Sequence, residues 1–396
     1  MRHAFAAALL LAATPALADE LDVATGKALF DRKWVQAPAS TDSADGLGPL
    51  FNASACSTCH KDGHGARFTT VGGVLGVAGF VVRLGDAFGR PDPHFGRQVQ
   101  ERAISGVEPE GRIAPAFVKT DDGLERTTAS VIFNGGEPDA ATRQQILVAP
   151  SLIGRGLIEQ VAMNAVLALA DPDDKNGDSI SGRARLLDGG KTLGRFGLKA
   201  TGRSIAEQAA DAAAFDMGLS SPLRPFPYGD CTVEQQRCLN QANGRSPDFD
   251  NEEISGAIVN AVAAYVAALN RKAPESNREG EQLFAATGCA QCHVPVMPSS
   301  TGKTLPIFSD LLLHDLGQGL AGAYGDRDFS AQEWRTAPLI DMSDRQGKRR
   351  YLHDGRAATI ADAVRWHDGE ARAARDRFLA LEERDRKLLL DYVGSL

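Results

Sequence analysis

Apolar residues recur at helical spacing near the middle and at the end of the chain. Five of them share one face of a predicted helix: Ile254, Ile258, Val262, Tyr265 and Leu269. The terminal residues 392–396 repeat the Tyr-Val-x-x-Leu pattern of residues 265–269. Two similar apolar segments, residues 26–30 and 280–284, come earlier in each half. Each half of the chain is therefore predicted to open and close with a helix.

A further helix is predicted near the C-terminus. Thr359 and Asp362 have the spacing of a capping box at its start. Ile360, Val364 and His367 then share one helical face, so the imidazole points in the same direction as the apolar side chains.

The N-terminus has the pattern of a secretory signal. A short basic start is followed by an apolar run over residues 4–13, which is too short to span a bilayer, and by an Ala-x-Ala sequence at residues 16–18. We expect residues 1–18 to be a signal peptide and the mature chain to be periplasmic. No membrane span is predicted, because no later stretch approaches the roughly 20 apolar residues that one needs.

Composition narrows the class of protein. The 396 residues are 43% hydrophobic and 24% charged, which is typical of a globular chain. The net charge of -8 offers no electrostatic attraction for a phosphate backbone, so nucleic acid is excluded as an expected partner.

Four of the six cysteines lie in two Cys-x-x-Cys-His motifs. The motif residues are Cys56, Cys59, His60, Cys289, Cys292 and His293. Cysteines at i and i+3 lie on one helical turn and can form thioethers with haem vinyl groups, while the following histidine reaches the iron. Two tetrahedral zinc sites would need more ligands at this spacing, and the histidine and the duplication argue against a thioredoxin-like dithiol. The chain is predicted to hold two covalent c-type haems.

The remaining two cysteines, Cys231 and Cys238, lie in a segment rich in proline and glycine. A local disulfide is expected in an oxidising compartment, with a redox-active pair as the alternative.

The order of helix, motif and helix in each half is the plan of a small cytochrome c domain. The predicted fold is mainly α, with two tandem cytochrome c-type domains over residues 19–272 and 273–396. An irregular insertion is expected in the first domain between about residues 112 and 245, and residues 271–277 are the expected linker.

The chain resembles the di-haem oxidoreductase family, whose members are also labelled peroxidases or thiol oxidoreductases and which is related to bacterial di-haem cytochrome c peroxidases. The resemblance covers nearly all of the mature chain. It rests on residues 45–53, 95–100, 171–174, 176–182, 311–317, 334–339, 351–356 and 366–370.

The resemblance implies that the second haem has a sixth ligand. In the peroxidase relatives a methionine follows a histidine by the same 14 residues that separate His353 from His367. His367 is therefore the expected ligand, and a core histidine is the alternative. A second imidazole should lower the reduction potential. His314 and His353 are weaker ligand candidates, expected to bind propionates or to line the space between the haems.

For the first haem the resemblance implies a reactive iron with a Gln and a Glu over it. Gln100 and Glu110 reproduce that spacing, as do Gln98 and Glu108. Gln100, Glu110 and His353 are taken as the candidate catalytic residues. A solvated acidic loop is the alternative for the glutamates. The further candidates for a sixth ligand of this iron are His64, His94 and Met217.

Asp174, Asn176 and Asp178 have the alternate-residue oxygen spacing of a calcium loop. The EF-hand glycine and bidentate glutamate are missing, so a plain Asp/Asn/Gly turn is the alternative.

Together these features predict a periplasmic di-haem oxidoreductase of peroxidase type, in which haem 2 relays electrons to haem 1. The expected partners are a small redox protein or other electron donor and peroxide or another small substrate. The alternatives are a pure electron-transfer cytochrome and an oxidase acting on a protein or thiol.

Overall fold

The computed structural model describes residues 20–71, 74–270, 277–343 and 348–396. The predicted signal peptide and the predicted boundary between residues 272 and 273 lie outside the described residues.

Helices occur in both halves of the chain. They are α1 Glu20–Asp31, α2 Cys56–Cys59, α3 Arg155–Gln160, α4 Met163–Leu167, α5 Ile205–Met217, α6 Gln236–Leu239, α7 Gly256–Ala268, α8 Arg278–Ala286, α9 Ile360–Trp366, α10 Arg372–Ala380 and α11 Glu383–Ser395. Side-chain caps start several of them: Thr359 Oγ1 accepts the Asp362 N–H at 3.0 Å at the start of α9. The predicted start of this helix is thereby confirmed.

Strands are short and pair two by two. They are β1 Leu50–Phe51, β2 Arg67–Val71, β3 Val74–Ala78, β4 Phe80–Gly85, β5 Arg102–Ala103, β6 Gly111–Lys119, β7 Glu125–Phe133, β8 Arg143–Val148, β9 Leu186–Leu187, β10 Thr192–Leu193, β11 Met297–Pro298, β12 Thr304–Leu305, β13 Leu313–Asp315 and β14 Glu333–Arg335. The antiparallel pairs are β1–β5, β2–β3, β4–β8, β6–β7, β9–β10, β11–β12 and β13–β14.

The prediction of a mainly α fold is wrong. Helices hold 32% of residues and strands 19%, and the longest pairings, β6–β7 and β4–β8, lie between residues 80 and 148. The physical reason is visible in Glu125–Phe133, where four of nine residues are β-branched and favour a strand after the turn at Gly123. The segment taken as an irregular insertion therefore contains paired strands, and a division into two cytochrome c-type domains stays a prediction.

The opening and closing helices of each half pack together through glycine. A Cβ atom on Gly26 of α1 would lie 1.9 Å from Ala261 O of α7. In the second half, a Cβ atom on Gly280 of α8 would lie 2.4 Å from Tyr392 Cβ of α11. The first residue of each repeated opening segment is thus the point where two helices meet closely.

Cys231 and Cys238 form a disulfide, which confirms the expected local bond.

Among the described residues, none of the helices has the length and apolar character that a bilayer crossing requires.

Candidate haem sites

The first Cys-x-x-Cys-His motif forms a short helix on the wall of a large cavity. Cys56 and Cys59 begin and end α2 as free thiols, and the His60 backbone N–H donates to Cys56 O at 3.0 Å. Burial lowers the pKa of His60 to about 4, so its imidazole is neutral at pH 7, as a metal ligand must be. Its Nδ1 is buried without a hydrogen bond of normal geometry to the described part of the chain.

The second motif forms a 3-10 turn over Cys289–Gln291. His293 donates its backbone N–H to Cys289 O at 2.9 Å, and its Nδ1 lies 3.2 Å from Phe308 O. Burial lowers the pKa of His293 to about 4. An imidazole that donates from Nδ1 to a carbonyl keeps its lone pair on Nε2, which fits a ligand whose orientation is fixed by a carbonyl.

His367 follows α9 and has the same arrangement as His293. Its Nδ1 lies 2.7 Å from Ala363 O, burial lowers its pKa, and it lines the cavity. The two imidazoles are close enough that His367 contributes to lowering the pKa of His293, after the larger effect of burial. His367 lies just past the end of α9 and not on its helical face, yet it is beside the second motif, and the structure does not test ligation.

A cavity of 1890 Å³ is lined by both motifs. Pockets for one small molecule measure roughly 300–1,000 Å³, so this space suits two large planar groups. Free thiols and neutral imidazoles at both motifs fit covalently attached haem.

The predicted distal pair, Gln100 and Glu110, lies beside this cavity without lining it. The Gln100 backbone N–H donates to Glu110 Oε2 at 2.8 Å, and Gln235 Nε2 donates to Glu110 Oε1 at 2.6 Å. Burial raises the pKa of Glu110 to about 8. Both carboxylate oxygens are therefore held by protein donors. A catalytic role for this pair stays a prediction, as does one for Glu108, which also does not line the cavity.

A different carboxylate, Asp216, lines the cavity next to the first motif. Gln98 Nε2 donates to Asp216 Oδ1 at 2.8 Å, and both residues contribute to the wall. The pKa of Cys56 and Cys59 is raised to about 12, mainly by burial and next by the negative charge of Asp216. Asp216 therefore lies near both thiols. Burial also raises the pKa of Asp216 itself.

Asp216 lies in the last turn of α5. Its backbone carbonyl accepts the N–H groups of Asn52 and Ala53 at 2.9 and 3.0 Å, which holds the residue in place. Sequence reasoning missed this residue. One signal was present: an acidic side chain in the last turn of a helix opposes the helix dipole.

His353 also lines the cavity. Its ring stacks on Trp334 with centroids 4.1 Å apart, and burial lowers its pKa to about 4. Lys199 Nζ lies 3.8 Å from the centre of the same indole ring, and Trp334 Nε1 donates to Leu320 O at 2.8 Å. His353 is therefore a buried, stacked ring on the cavity wall, and its expected role beside the haems stays a prediction.

His314 has no ring nitrogen left for iron. Its Nε2 lies 2.8 Å from Asp310 Oδ2 and its Nδ1 lies 2.6 Å from Glu370 Oε2. Burial alone would lower the pKa of His314, but hydrogen bonds, led by the one to Asp310, raise it to about 12. Asp310, His314 and Cys292 also have ligand atoms close enough for a metal ion, but Cys292 belongs to the second motif. His314 is thus a charged structural group.

The other candidate ligands of the first iron occupy different positions. His64 lines the cavity with its Nδ1 2.9 Å from Asp341 Oδ2. His94 pairs with Glu234 and does not line the cavity. Met217 lines the cavity and belongs to the apolar cluster around Trp34.

The candidate calcium loop is a turn in which side-chain oxygens accept backbone N–H groups. Asn176 Oδ1 accepts from Asp178 N at 2.9 Å, and Asp174 Oδ1 accepts from Ser179 N at 3.1 Å. These contacts fit the plain-turn alternative, and calcium binding stays a prediction.

Comparison with family models matches residues 141–396 to the family described as "Di-haem oxidoreductase, putative peroxidase". The chain belongs to the di-haem oxidoreductase family. The matched part is more than half of the chain and contains the second Cys-x-x-Cys-His motif, His353 and His367. The resemblance seen in the sequence is thereby confirmed over residues 141–396, and haem is the family's cofactor.

No curated protein matches the chain. Among solved structures, a hydrazine synthase of Kuenenia stuttgartiensis, pressurized with xenon, matches at 13% identity and a TM-score of 0.33, over 100% of both chains. A TM-score this low supports no inference about fold or function.

Proposed function

We propose that this di-haem oxidoreductase is a peroxidase-type enzyme with two covalent c-type haems. Each pair of motif cysteines forms the thioethers, and His60 and His293 bind the two irons. His367 is the sixth ligand at the second motif.

The observation that carries the proposal is the difference between the two ends of the cavity. At the second motif, two neutral imidazoles have Nδ1 fixed by carbonyl oxygens. At the first motif, the wall instead carries the hydrogen-bonded pair of Asp216 and Gln98. Two imidazoles suit electron transfer, whereas a carboxylate beside an open iron suits chemistry on a small substrate.

When bound, the haems supply one-electron transfer at the second motif and peroxide reduction at the first. Asp216 takes a proton from one peroxide oxygen and returns it to the leaving oxygen, which is general acid–base catalysis. Gln98 holds the carboxylate oxygen in position through its Nε2. A small redox protein is the proposed electron donor, and the proposed location is the periplasm.

The test is the reaction of the half-reduced protein with hydrogen peroxide, followed by stopped-flow absorbance. Asp216→Asn removes the proton carrier but keeps an oxygen for Gln98, so we expect peroxide reduction to slow by about 10²- to 10⁴-fold with both haem spectra retained.

Glu110→Gln is the comparison variant, because it changes the other buried carboxylate suggested by the family resemblance. We expect little effect from it. A large loss in Glu110→Gln with none in Asp216→Asn would assign proton transfer to Glu110. If the wild-type protein does not react with peroxide, the peroxidase proposal is wrong.

A further inference from the structure

Two arginines on the cavity wall have no acidic partner. Arg335 is 7% exposed and Arg155 is half-buried, and both line the cavity. They donate to neutral backbone oxygens: Arg155 Nε to Ser151 O at 2.9 Å, and Arg335 Nε and Nη1 to Gly197 O and Thr336 O at 3.1 and 2.9 Å. Among the described residues, no carboxylate lies within ion-pair distance of either guanidinium.

In the described part of the chain, the two other arginines that are less than a tenth exposed pair with carboxylates, whereas the half-buried Arg195 donates to backbone carbonyl oxygens. Arg356 Nη2 lies 2.8 Å from Asp354 Oδ2, and Arg185 pairs with Asp326. A buried charge without a counter-charge is strongly unfavourable, so natural proteins pair such groups or place them against a bound ion. The absence of a partner at Arg155 and Arg335 therefore points to an anion that the cavity receives.

The two guanidiniums also repel each other. Burial lowers the pKa of Arg155 to about 10 and that of Arg335 to about 9, and the charge of Arg155 is the next cause at Arg335. Both remain charged at pH 7. Asp310 is near enough to act on Arg335, but its Oδ2 already accepts from His314. Two like charges thus line the same cavity, and only Arg335 has a carboxylate, Asp310, close enough to offset its charge in part.

Arg155 and Arg335 lie between the two motifs. Arg155 acts on His60, where its charge lowers the pKa after the larger effect of burial. Arg335 ends β14, beside Asp310, whose backbone N–H donates to Cys292 O at 3.0 Å. One arginine therefore belongs to the surroundings of the first motif and the other to those of the second.

We propose that Arg155 and Arg335 bind haem propionates in the cavity between the two motifs. The proposal rests on the two haems of the proposed function. A guanidinium presents a planar pair of N–H donors that matches a carboxylate, and the pairing is strongest where water is excluded.

The pairing has a measurable consequence for the haem potentials. A propionate charge near the iron stabilises the ferric state, and a guanidinium against it offsets that effect. Removing the guanidinium should therefore lower the midpoint potential of the haem whose propionate it holds.

The experiment is a spectroscopic redox titration of the holoprotein and of Arg335→Gln, Arg335→Lys and Arg155→Gln, without added substrate. We expect each Gln variant to move one ferric/ferrous equilibrium toward ferric by about tenfold, which is about 59 mV for one electron. Arg335→Lys keeps the charge and should restore most of the shift. Arg112→Gln, which removes an exposed arginine off the cavity, is the control and should leave both potentials unchanged.

Arg155→Gln keeps the proposal testable if Arg335→Gln does not fold, because Arg155 is the less buried of the two. Unchanged potentials in Gln variants that retain two haems would overturn the proposal. A wild-type protein without haem would instead contradict the proposed function, so the two failures are distinguishable.

Discussion

The histidines on the cavity wall differ in their roles because different groups contact their ring nitrogens. His293 and His367 each have Nδ1 against a backbone carbonyl, which leaves Nε2 for iron. His314 has a carboxylate at each nitrogen, which leaves neither nitrogen directed at a haem iron. His353 is stacked on Trp334 as a neutral ring. The contacts of the ring therefore give a physical distinction between His367, the expected ligand, and the weaker candidates His314 and His353.

His367→Met should keep a six-coordinate second haem and raise its reduction potential, because a thioether stabilises ferrous iron better than an imidazole. His367→Gly should open that iron to added ligands such as imidazole. Low-temperature spectra and redox titration of both variants provide the measurement. A low-spin signal and a potential that are the same in both variants as in wild type would make His367 a packing residue.

At the level of residues, spacing was informative only over short distances. The two Cys-x-x-Cys-His motifs and the helix before His367 are local patterns, so the sequence could place them. Asp216 meets Gln98 across 118 positions, and Arg155 and Arg335 are 180 positions apart. Such pairs are created by tertiary packing, which a single sequence does not display.

Helices in the two halves meet through glycines at matching positions. Gly26 and Gly280 begin the repeated opening segments, and each allows close contact with the closing helix of its half. Close packing of the opening helix on the closing helix therefore explains why glycine recurs at this position of the repeat. The sequence predicted these helices because their apolar residues recur at helical spacing.

Gly26→Ala should destabilise the protein by about 1–3 kcal/mol, because the new methyl group would overlap the backbone carbonyl of Ala261. Gly394→Ala in α11 is the matched control, since its nearest neighbour atom, Ile360 Cδ1, would lie at 3.7 Å. The control should be neutral or stabilising by up to about 1 kcal/mol. Denaturant unfolding measures both, and equal stability of the two variants would show that α1 does not need this close contact.

Strands were the elements that sequence reasoning missed. The β6–β7 pair joins Gly111–Lys119 to Glu125–Phe133 in a nine-residue register, inside a segment expected to be irregular. The β-branched residues of β7 favour a strand, but they do not alternate with polar residues, so the local pattern is weak. The β4–β8 pair brings Val82 opposite Ile146, and its 64-residue separation gives no local signal.

In the whole molecule, the halves share one cavity rather than keeping separate sites. Residues on its wall come from the first motif, from the segment around Asp216 and from the second motif. This arrangement places the two candidate haem sites on one cavity, as the proposed electron transfer between them requires. The shared cavity also explains why charged groups from distant segments, such as Arg155 and Arg335, face the same space.

The central claim is that the two irons have unlike coordination, and low-temperature electron paramagnetic resonance of the purified ferric protein tests it most directly. We expect one high-spin signal from the first haem and one low-spin signal with two imidazole ligands from the second. Two low-spin signals of equal intensity, with no high-spin component, would contradict the account and indicate an electron-transfer cytochrome.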